Sequence, residues 1–426
     1  MAVQITSGPE FDRAAIRLAE SIARQGGRLY LVGGCVRDQV VGREPHDFDL
    51  CVTGLTEEAV RGILPEARVS GQRFPVFRAA VGNKVCEIAL ARTERKTGEG
   101  RRGFDVWAGV DVSIEDDLRR RDFTINAMAF DLLAGEIIDP FGGQRDIKTG
   151  TLRAVSEAFG EDPLRVYRAA RFAATLGFEV ERGTVEAMRQ LVPELGSLST
   201  ERVVLEFWAA MWSQRPSRFF ETLAAAGALS VHFKEIADLQ GVLQPVEHHP
   251  EGDAFEHSMQ VLDEAAGQSE AAAVRFAALV HDLGKAATPK EEWPWHQGHD
   301  ARGVPLVAAL GKRLGLAHSI VRAGQIAAKR HMILHHVGWL RGVTMVDILK
   351  EAERSALGVE GLVIVVDADS RGRGAAGRPS PSVPEILKAD AARRAVRSEE
   401  IKAPAGAKFG AALRAAQGAA VAAAIR

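Results

Sequence analysis

Cysteine is scarce in this sequence of 426 residues, which contains only Cys35, Cys51 and Cys86. The number is odd, the settings are strand-like and apolar, and no C-x-x-C occurs, which argues against a disulfide framework and a thiolate zinc site. Long apolar runs are also absent, since none approaches the roughly 20 residues that cross a bilayer, and the N-terminus lacks a signal-peptide pattern. We therefore expect a cytoplasmic protein of a reducing compartment, with no membrane partner.

An excess of charge of one sign is missing too, because 54 basic and 56 acidic residues give a formal net charge of -2. Nucleic-acid binding would then depend on local basic patches rather than on a field of the whole protein. The length allows two to four domains with ample buried core.

The stretch LYLVGGCVRDQVVGREPHDFDL, residues 29–50, combines features that are common singly and informative together. An apolar run ends in Gly33-Gly34, a helix-like segment follows, and Asp47 and Asp49 then lie two residues apart. Side chains at that spacing point to one face of a strand. Two carboxylates beside a glycine pair, where backbone N–H groups can approach an anion, predict a cradle for Mg²⁺ and a nucleoside triphosphate.

The Gly-Gly, Val-Arg-Asp and Asp-Phe-Asp elements of this stretch resemble the signature of the nucleotidyltransferase superfamily, in its class II tRNA CCA-adding and poly(A) polymerase branch. The resemblance implies that Asp47 and Asp49 are catalytic residues that hold two Mg²⁺ ions. These ions would activate the 3′-hydroxyl of tRNA and neutralise the leaving pyrophosphate. It also places Gly34 and Arg37 in the nucleotide site.

Three successive arginines lie in the stretch EDDLRRRDFTINAMA, residues 115–129. On one helix they would spread over most of its circumference, so that at least one faces the cleft. The letters RRDFTINA match a motif of the same family. The resemblance implies that Arg121 contacts the triphosphate and that Asp122 and Asn126 help to hold the sugar and the site.

The stretch EDPLRVYRAARF, residues 161–172, predicts a helix with acids in its first turn and a proline just inside it. Arg165, Arg168 and Arg171 follow at a spacing of three, which predicts one basic ridge that needs anions opposite. The stretch resembles the E-D-x-x-R motif of class II enzymes. There Asp162 and Arg165 would read the base edge as a Watson–Crick partner does, without a template, while Arg168 and Arg171 touch the nucleotide.

Two further features belong to the same predicted domain. Residues 77–81 and 85–90 predict paired strands, and Glu87 on the second could add a third carboxylate, although a solvated strand glutamate fits equally well. Residues 92–103 are basic and lack apolar periodicity, which predicts a mobile loop or simply solvated surface. The stretch resembles the flexible loop that the family needs to switch from adding C to adding A.

Ten of the twelve histidines lie between His248 and His336. A lone helical histidine is usually structural, but the order H…HD…H…H…D resembles that of HD-type metal phosphohydrolases. The candidate ligands are His257, His281, Asp282, His299, His331 and Asp369. This set suits a transition metal such as Ni²⁺ or Mn²⁺ better than Mg²⁺. A decayed, metal-free HD fold is the alternative.

We expect an α+β N-terminal nucleotidyltransferase head, a small mixed sheet flanked by helices, followed by an all-α neck, body and HD domain. The expected divisions are 1–27 (N-terminal helix), 28–148 (head), 149–245 (neck and body), 246–372 (HD domain) and 373–426 (helical tail).

The resemblance covers nearly the whole chain and implies an enzyme of the CCA-adding class that carries a C-terminal HD domain. Its partners would be tRNA, CTP and ATP, and the chain a monomer or homodimer. A second activity, metal-dependent hydrolysis of 2′,3′-cyclic and terminal phosphates, would suit the repair of blocked tRNA ends. Three alternatives stay open: a poly(A) polymerase, a CC-only or A-only enzyme, and a non-enzymatic tRNA-binding relative.

Overall fold

The computed structural model describes residues 8–45, 47–70, 75–96, 104–107 and 109–425. The chain divides into two compact units, Met1–Leu198 and Ser199–Arg426. Within the described ranges, no helix combines the length and the apolar character that crossing a membrane requires.

All strands lie in the N-terminal unit, as far as the described residues show. They are β1 (Arg28–Val32), β2 (Asp49–Thr53), β3 (Arg68–Ser70), β4 (Val76–Val81), β5 (Lys84–Leu90), β6 (Thr93–Lys96), β7 (Phe104–Trp107), β8 (Ala129–Asp131), β9 (Glu136–Ile138), β10 (Thr151–Leu152) and β11 (Glu179–Val180). Seven form one mixed sheet in the order β3-β4-β5-β2-β1-β8-β9. In it β2 and β5 run parallel, and the other neighbours are antiparallel.

The helices of this unit flank the sheet and continue beyond it. They are α1 (Pro9–Ala23), α2 (Gly34–Val41), α3 (Glu57–Ile63), α4 (Ile114–Arg119), α5 (Gly143–Thr149), α6 (Leu164–Leu176) and α7 (Arg182–Leu191). Both faces of the sheet are covered, which explains the unbroken apolar run of β1. Leu29 and Leu31 join one core cluster, and Tyr30 and Val32 join another, because alternate strand residues point to opposite faces.

The C-terminal unit consists of helices. They are α8 (Thr200–Met211), α9 (Ser217–Ala225), α10 (Leu229–His232), α11 (Lys234–Ala237), α12 (Ala254–Gln268), α13 (Ala272–Val280), α14 (His299–Arg313), α15 (His318–Leu334), α16 (Gly342–Glu353), α17 (Gly358–Arg371), α18 (Val383–Ala395) and α19 (Ala407–Ala424). Aliphatic side chains of α12, α13 and α15 to α19 form one buried cluster. The alanine-rich tail packs closely, since a Cβ added at Gly342 of α16 would lie 2.0 Å from the carbonyl oxygen of Gly418 on α19.

The predicted fold class, an α+β head followed by helices, is confirmed. One detail differs: β10 and β11 form a two-residue parallel ladder inside the predicted neck. The three cysteines are free and buried, as expected, and burial raises the pKa of the Cys35 thiol to about 11.

Part of the predicted mobile loop, residues 92–103, has regular structure that was not expected, because Thr93–Lys96 pairs with Phe104–Trp107 in an antiparallel ladder. A two-stranded ribbon is held by backbone hydrogen bonds and needs no buried face, so apolar periodicity gives no signal for it. The remainder of that predicted loop, residues 97–103, lies outside the described residues.

Two predicted helix limits also need correction. The helix expected through the arginine run ends at Arg119, after a start fixed by a capping box between Ser113 and Asp116. The motif helix begins at Leu164, so its acids precede the first turn instead of lying within it. In both places the polar residues that periodicity assigned to a helix are used to begin or end one.

Candidate active sites

The predicted carboxylates of the N-terminal unit meet at the sheet. Asp49 is the first residue of β2, and it pairs with Glu87 of β5 in the parallel ladder. Asp47 precedes the strand, which corrects the prediction that both aspartates lie on it. Alternation still holds across the segment, because Asp47 and Asp49 are exposed whereas Phe48 between them is buried. Both carboxylates therefore point to the same exposed side of this segment, and Glu87, the neighbour of Asp49 in the ladder, is exposed as well.

The electrostatics of this acidic group favour a bound cation. The pKa of Asp49 is raised because surrounding protein shields it from water and because the charges of Glu87 and Asp47 repel its own. The guanidinium of Arg121 acts in the opposite direction. Three carboxylates offer the hard oxygen ligands that Mg²⁺ prefers, so these residues fit the predicted ion.

Gly33 lies directly against Arg121. Its φ of +73° and ψ of -125° belong to a region that L side chains rarely adopt, and a Cβ there would lie 2.7 Å from Nη1 of Arg121. The turn before α2 therefore requires glycine both for its conformation and for this approach. Gly34, the predicted nucleotide-binding residue, is the first residue of α2.

Arg121 is positioned by a buried carboxylate that the sequence reasoning missed. Asp117 is 1% exposed, and its Oδ2 accepts a hydrogen bond of 2.9 Å from Nη2 of Arg121 while its Oδ1 accepts one of 2.7 Å from Nη2 of Arg120. Burial alone would raise the pKa of Asp117, but the two guanidinium groups lower it to about 2. The only sequence signal is the spacing of three and four residues from Asp117 to the arginines.

A chain of polar contacts links Arg37 to the motif helix α6. Arg37 donates from Nη1 to Oδ1 of Asn126 at 2.7 Å, and Nδ2 of Asn126 donates to Oδ1 of Asp122 at 3.0 Å. The other oxygen of Asp122 accepts a hydrogen bond of 2.7 Å from Nε of Arg168. Burial would raise the pKa of Asp122, yet Arg168 and Asn126 bring it down to about 2. The structure thus joins Arg37 and Arg168, which lie far apart in sequence.

The predicted ridge of three arginines on α6 is not continuous. Arg165 is buried, and its guanidinium donates to the carbonyl oxygens of Arg120 at 2.6 Å and Ala158 at 2.5 Å, so the ridge prediction is wrong for Arg165. Asp162 accepts a hydrogen bond of 3.0 Å from the backbone N–H of Leu164, which orients its carboxylate at the start of α6. Helical spacing predicts the direction in which Arg165 points, but it does not predict the backbone carbonyl groups that accept its hydrogen bonds.

Arginine side chains also surround one aromatic ring. The guanidinium carbons of Arg171, Arg37 and Arg168 lie 3.9, 5.1 and 5.5 Å from the ring centre of Phe172. Phe172 is 3% exposed, and it holds these three cations together by cation–π contact. Arg37, Arg168 and Arg171 were predicted to bind the nucleotide, and the structure brings them to this common place.

The six predicted ligands of the C-terminal unit converge although five different helices supply or flank them. His257 lies on α12, His281 and Asp282 follow α13, His299 begins α14, His331 lies on α15 and Asp369 on α17. Each is at most 5% exposed.

The ligand atoms form two groups that share Asp282. Those of His257, His281 and Asp282 lie within 4.8 Å of one another, and the same holds for Asp282, His299 and His331. Nε2 of His257 lies 3.1 Å from Oδ1 of Asp369, and Nε2 of His299 lies 3.1 Å from Nε2 of His331. Two imidazole nitrogens facing each other at that distance favour a cation between them over a proton on each.

Unsatisfied buried atoms support the same conclusion. Despite close contacts, Nε2 of His281 and both carboxylate oxygens of Asp282 form no well-directed hydrogen bond within the described part of the chain. Such atoms are costly unless something binds them. Burial lowers the pKa of His331 to about 4, so its imidazole is neutral and able to act as a ligand. The residues therefore fit a divalent metal.

Four surrounding residues escaped the sequence reasoning. Glu251 accepts from Nδ1 of His257 at 2.9 Å, and Nε2 of His335 lies 2.6 Å from Oδ2 of Asp369. Lys285 approaches Asp282 at 2.5 Å, and His249 contacts Glu251 at 2.9 Å. The sequence spacing could have indicated two of these residues, because His335 follows His331 by one helical turn and Lys285 follows Asp282 by three residues.

Two neighbouring carboxylates favour the protonated form of His257. Burial lowers its pKa, but hydrogen bonds to Asp369 and Glu251 outweigh burial and raise the pKa to about 8. Carboxylates that orient a ligating imidazole in this way commonly support metal sites.

Comparison with known proteins shows the family of the chain. Residues 29–153 match the model of the poly A polymerase head domain, 177–239 that of the probable RNA and SrmB-binding site of polymerase A, and 254–371 that of the HD domain. The multifunctional CCA protein of Nitrosococcus oceani is 44% identical over 380 residues, which cover 88% of this chain and 92% of that protein. The chain belongs to the multifunctional CCA protein family.

A second member, from Methylococcus capsulatus, is 42% identical over 403 residues, or 91% of this chain and 92% of its own. The resemblance predicted from the sequence, including the HD domain, is therefore confirmed. Solved structures share the fold at lower identity. A CCA-adding enzyme in complex with ATP has a TM-score of 0.66 at 19% identity, covering 97% of this chain and 90% of its own. The Thermotoga maritima CCA-adding enzyme complexed with tRNA has a TM-score of 0.65 at 19% identity, covering 98% and 93%.

Proposed function

We propose that this member of the CCA family adds and repairs the 3′-terminal CCA of tRNA from CTP and ATP. The observation that carries the proposal is the position of Asp49, close enough to Asp47 and Glu87 to be repelled by them and to Arg121 to be attracted by it, while Arg121 lies against Gly33. A site for triphosphate chemistry needs both metal-binding carboxylates and fixed cations for the phosphates. Family membership supports the same enzyme class.

Asp47 and Asp49 would hold Mg²⁺, and Glu87 is the candidate third carboxylate. When bound, Mg²⁺ would make the RNA 3′-hydroxyl a better nucleophile and stabilise charge on the leaving pyrophosphate. Arg121, anchored by Asp117, binds the triphosphate without having to be ordered during the reaction, because its ion pair is already formed.

Arg168 and Arg171 bind phosphate oxygens from the side of α6, and Asp162 and Arg165 select the base. Asp162 is oriented by the N–H of Leu164. The guanidinium of Arg165 has five N–H donors, so it can keep some of its hydrogen bonds to backbone carbonyls while other N–H groups bind the base. One pair of side chains could in this way accept C and later A, without a nucleic-acid template.

The histidine cluster is proposed as a second, metal-dependent phosphohydrolase centre. His257, His281, Asp282 and Asp369 would hold one ion, and Asp282, His299 and His331 a second, with Ni²⁺ or Mn²⁺ as the candidates. Bound there, the metal would activate water for attack on a phosphoester. Removal of a 2′,3′-cyclic or terminal phosphate from a damaged tRNA end would restore the 3′-hydroxyl that the head extends.

The deciding experiment offers the purified protein a tRNA transcript that lacks CCA, with CTP, ATP or both, and sequences the 3′ ends. Complete CCA ends with both nucleotides support the proposal. Ends that stop at CC, or that gain A only on a CC-ending transcript, indicate a CC-only or A-only enzyme, and long A tails indicate a poly(A) polymerase. Transcripts left unchanged under every condition would mean a non-catalytic relative.

Cytoplasmic location and a monomeric or homodimeric state stay predictions, as do the division into five domains and the metal identities.

A further inference from the structure

The C-terminal unit has a cationic cavity that neither proposed active site uses. It has a volume of about 610 Å³ and is bordered by Arg322 and Arg330 of α15, by Lys350, Glu351 and Asp347 of α16, by Arg354 at the end of α16, and by Arg414 of α19. Five cations thus share the cavity with two carboxylates. In a chain whose net charge is -2, this is a local excess of positive charge.

The two carboxylates are already bound to arginines. Glu351 accepts hydrogen bonds from Arg322 at 2.6 Å and from Arg330 at 2.8 and 2.6 Å. Asp347 accepts from Nε of Arg414 at 2.7 Å. The side chains of Lys350 and Arg354 form no hydrogen bond or ion pair with any described residue. These two cations are therefore the ones available to an anion.

Lys350 shows the effect of the surplus charge. Partial burial lowers its pKa, and repulsion from Arg393 and Arg354 lowers it further, outweighing the attraction of Asp347 and Glu353. An anion in the cavity would relieve this repulsion. The alternative role of the pair, stabilising the C-terminal end of α16 through its dipole, would not require a concave site.

A second cavity adjoins the first, and Arg414 lines both. This neighbour, of about 660 Å³, is bordered by Arg341 and Arg414 together with Trp339, Thr344, glycines and aliphatic residues, and no carboxylate of the described residues lines it. Trp339 is 85% exposed. Its ring stacks on that of His336 with a centroid distance of 4.8 Å and an angle of 10° between the planes.

We propose that this surface, formed by Trp339, Arg341, Arg414, Lys350 and Arg354, binds the RNA substrate through residues that belong to neither proposed reaction centre. A phosphate of the RNA backbone lies in the cavity of Lys350 and Arg354, and an unpaired base stacks on Trp339. The proposal rests on the proposed function, because it takes tRNA as the occupant.

The combination of features favours RNA over other anions. An exposed aromatic ring held flat by a second ring offers a stacking face for a base, while cations follow the phosphates. A free phosphate would use the cavity but not Trp339, and the carboxylates of an acidic peptide would use the cations but not the face of the ring. α15 also presents different faces to the two sites, since Arg330 borders the cavity and the next residue, His331, points into the metal cluster.

The test measures binding of a fluorescent tRNA transcript lacking CCA by anisotropy, between 50 and 200 mM KCl. In Lys350→Gln/Arg354→Gln we expect Kd to rise about tenfold and the slope of log Kd against log salt to fall by about 1 to 2. Trp339→Ala should weaken binding about fivefold or more with an unchanged salt slope, and Trp339→Phe should restore most of it. The matched control is Arg397→Gln/Lys402→Gln, which removes the same charge from exposed positions outside the cavities.

Kd values and salt slopes equal to those of the control variant would overturn the inference. So would inorganic phosphate or ATP displacing the RNA from the wild type as well as unlabelled tRNA does, or a change of oligomeric state in Trp339→Ala by sedimentation, which would identify the surface as an interface between copies. Each variant is first shown to melt at the wild-type temperature, and Trp339→Phe tests the surface independently of the charge variants. Failure of the wild type to bind tRNA would instead refute the proposed function itself.

Discussion

Asp49 of β2 pairs with Glu87 of β5 in a parallel ladder, which places a carboxylate from a second strand beside the first. Parallel pairing aligns residues from distant parts of the chain at one level of the sheet. Repulsion from Glu87 and Asp47 contributes to the raised pKa of Asp49, and Arg121 opposes it, so a bound cation would further favour the ionised carboxylate.

Asp49→Asn and Asp47→Asn should abolish the addition of both C and A, each lowering the rate about a thousandfold or more, because the lost ligand acts in the transition state. Binding of tRNA should survive in both. If Glu87 completes the metal site, Glu87→Gln should also lower the rate of addition, but by less than either aspartate variant does. Single-turnover incorporation of radiolabelled CTP and ATP measures these rates, with Glu58→Gln, at an exposed position on α3, as the control. Near wild-type incorporation by either aspartate variant would refute the metal assignment.

Gly33→Ala should impair nucleotide use by displacing Arg121, because its Cβ would lie 2.7 Å from Nη1. We expect kcat/KM for CTP and ATP to fall about a hundredfold, the scale of a displacement of about 1 Å at a reaction centre. The control is Gly42→Ala at the other end of α2, where φ is +81° and nothing lies within 4 Å of an added Cβ. That variant should lose about 1 kcal/mol of stability and keep its activity. Equal kinetic losses in the two variants would show that backbone strain, not contact with Arg121, causes the effect.

Residues whose roles depend on local spacing could be predicted from the sequence. The glycine turn, the aspartates, the hairpin of β4 and β5 and the order of the histidines all follow from short patterns. Asp117 and Glu251 could not be found in this way. Their partners lie nearby in sequence, at Arg120 and Arg121 for Asp117 and at His249 and His257 for Glu251. A carboxylate buried against a guanidinium or imidazole has the same letters as a solvated one, however, and the packing of the whole unit decides which of the two it is.

Arg165 shows a related limit. Its position three residues before Arg168 fixes its direction on the helix. The turn at residues 119–121 decides whether the side chain reaches solvent or the backbone of another segment. The sequence had predicted that the helix through the arginine run, α4, continues through these residues. The error in the helix limit and the error in the ridge therefore have one origin.

Asp162→Ala should relax discrimination against UTP and GTP, whereas Arg121→Ala should weaken all nucleotides alike. Arg120→Ala is a matched control for the second variant, because Arg120 forms the other ion pair with Asp117. A loss of kcat/KM in Arg121→Ala that greatly exceeds the loss in Arg120→Ala would reflect phosphate contact and not the broken pair. The measurement is kcat/KM for each of the four triphosphates on a transcript lacking CCA. Unchanged selectivity in Asp162→Ala would rule out its role in reading the base.

The last prediction concerns the histidine cluster. The wild-type protein, loaded with Ni²⁺ or Mn²⁺ and passed through gel filtration, should retain metal, because unsatisfied ligand atoms of His281 and Asp282 are otherwise costly to bury. It should also hydrolyse 2′,3′-cyclic AMP. His281→Ala/Asp282→Ala should lose both properties and still add CCA, since its changes lie outside the head.

His331→Ala should lower the metal content, whereas His318→Ala, which changes an exposed histidine on the same helix, should leave it unchanged. Elemental analysis and a phosphate-release assay provide the two readouts. A wild type that holds no metal and cleaves no phosphodiester across the divalent series would show that the cluster is a structural remnant.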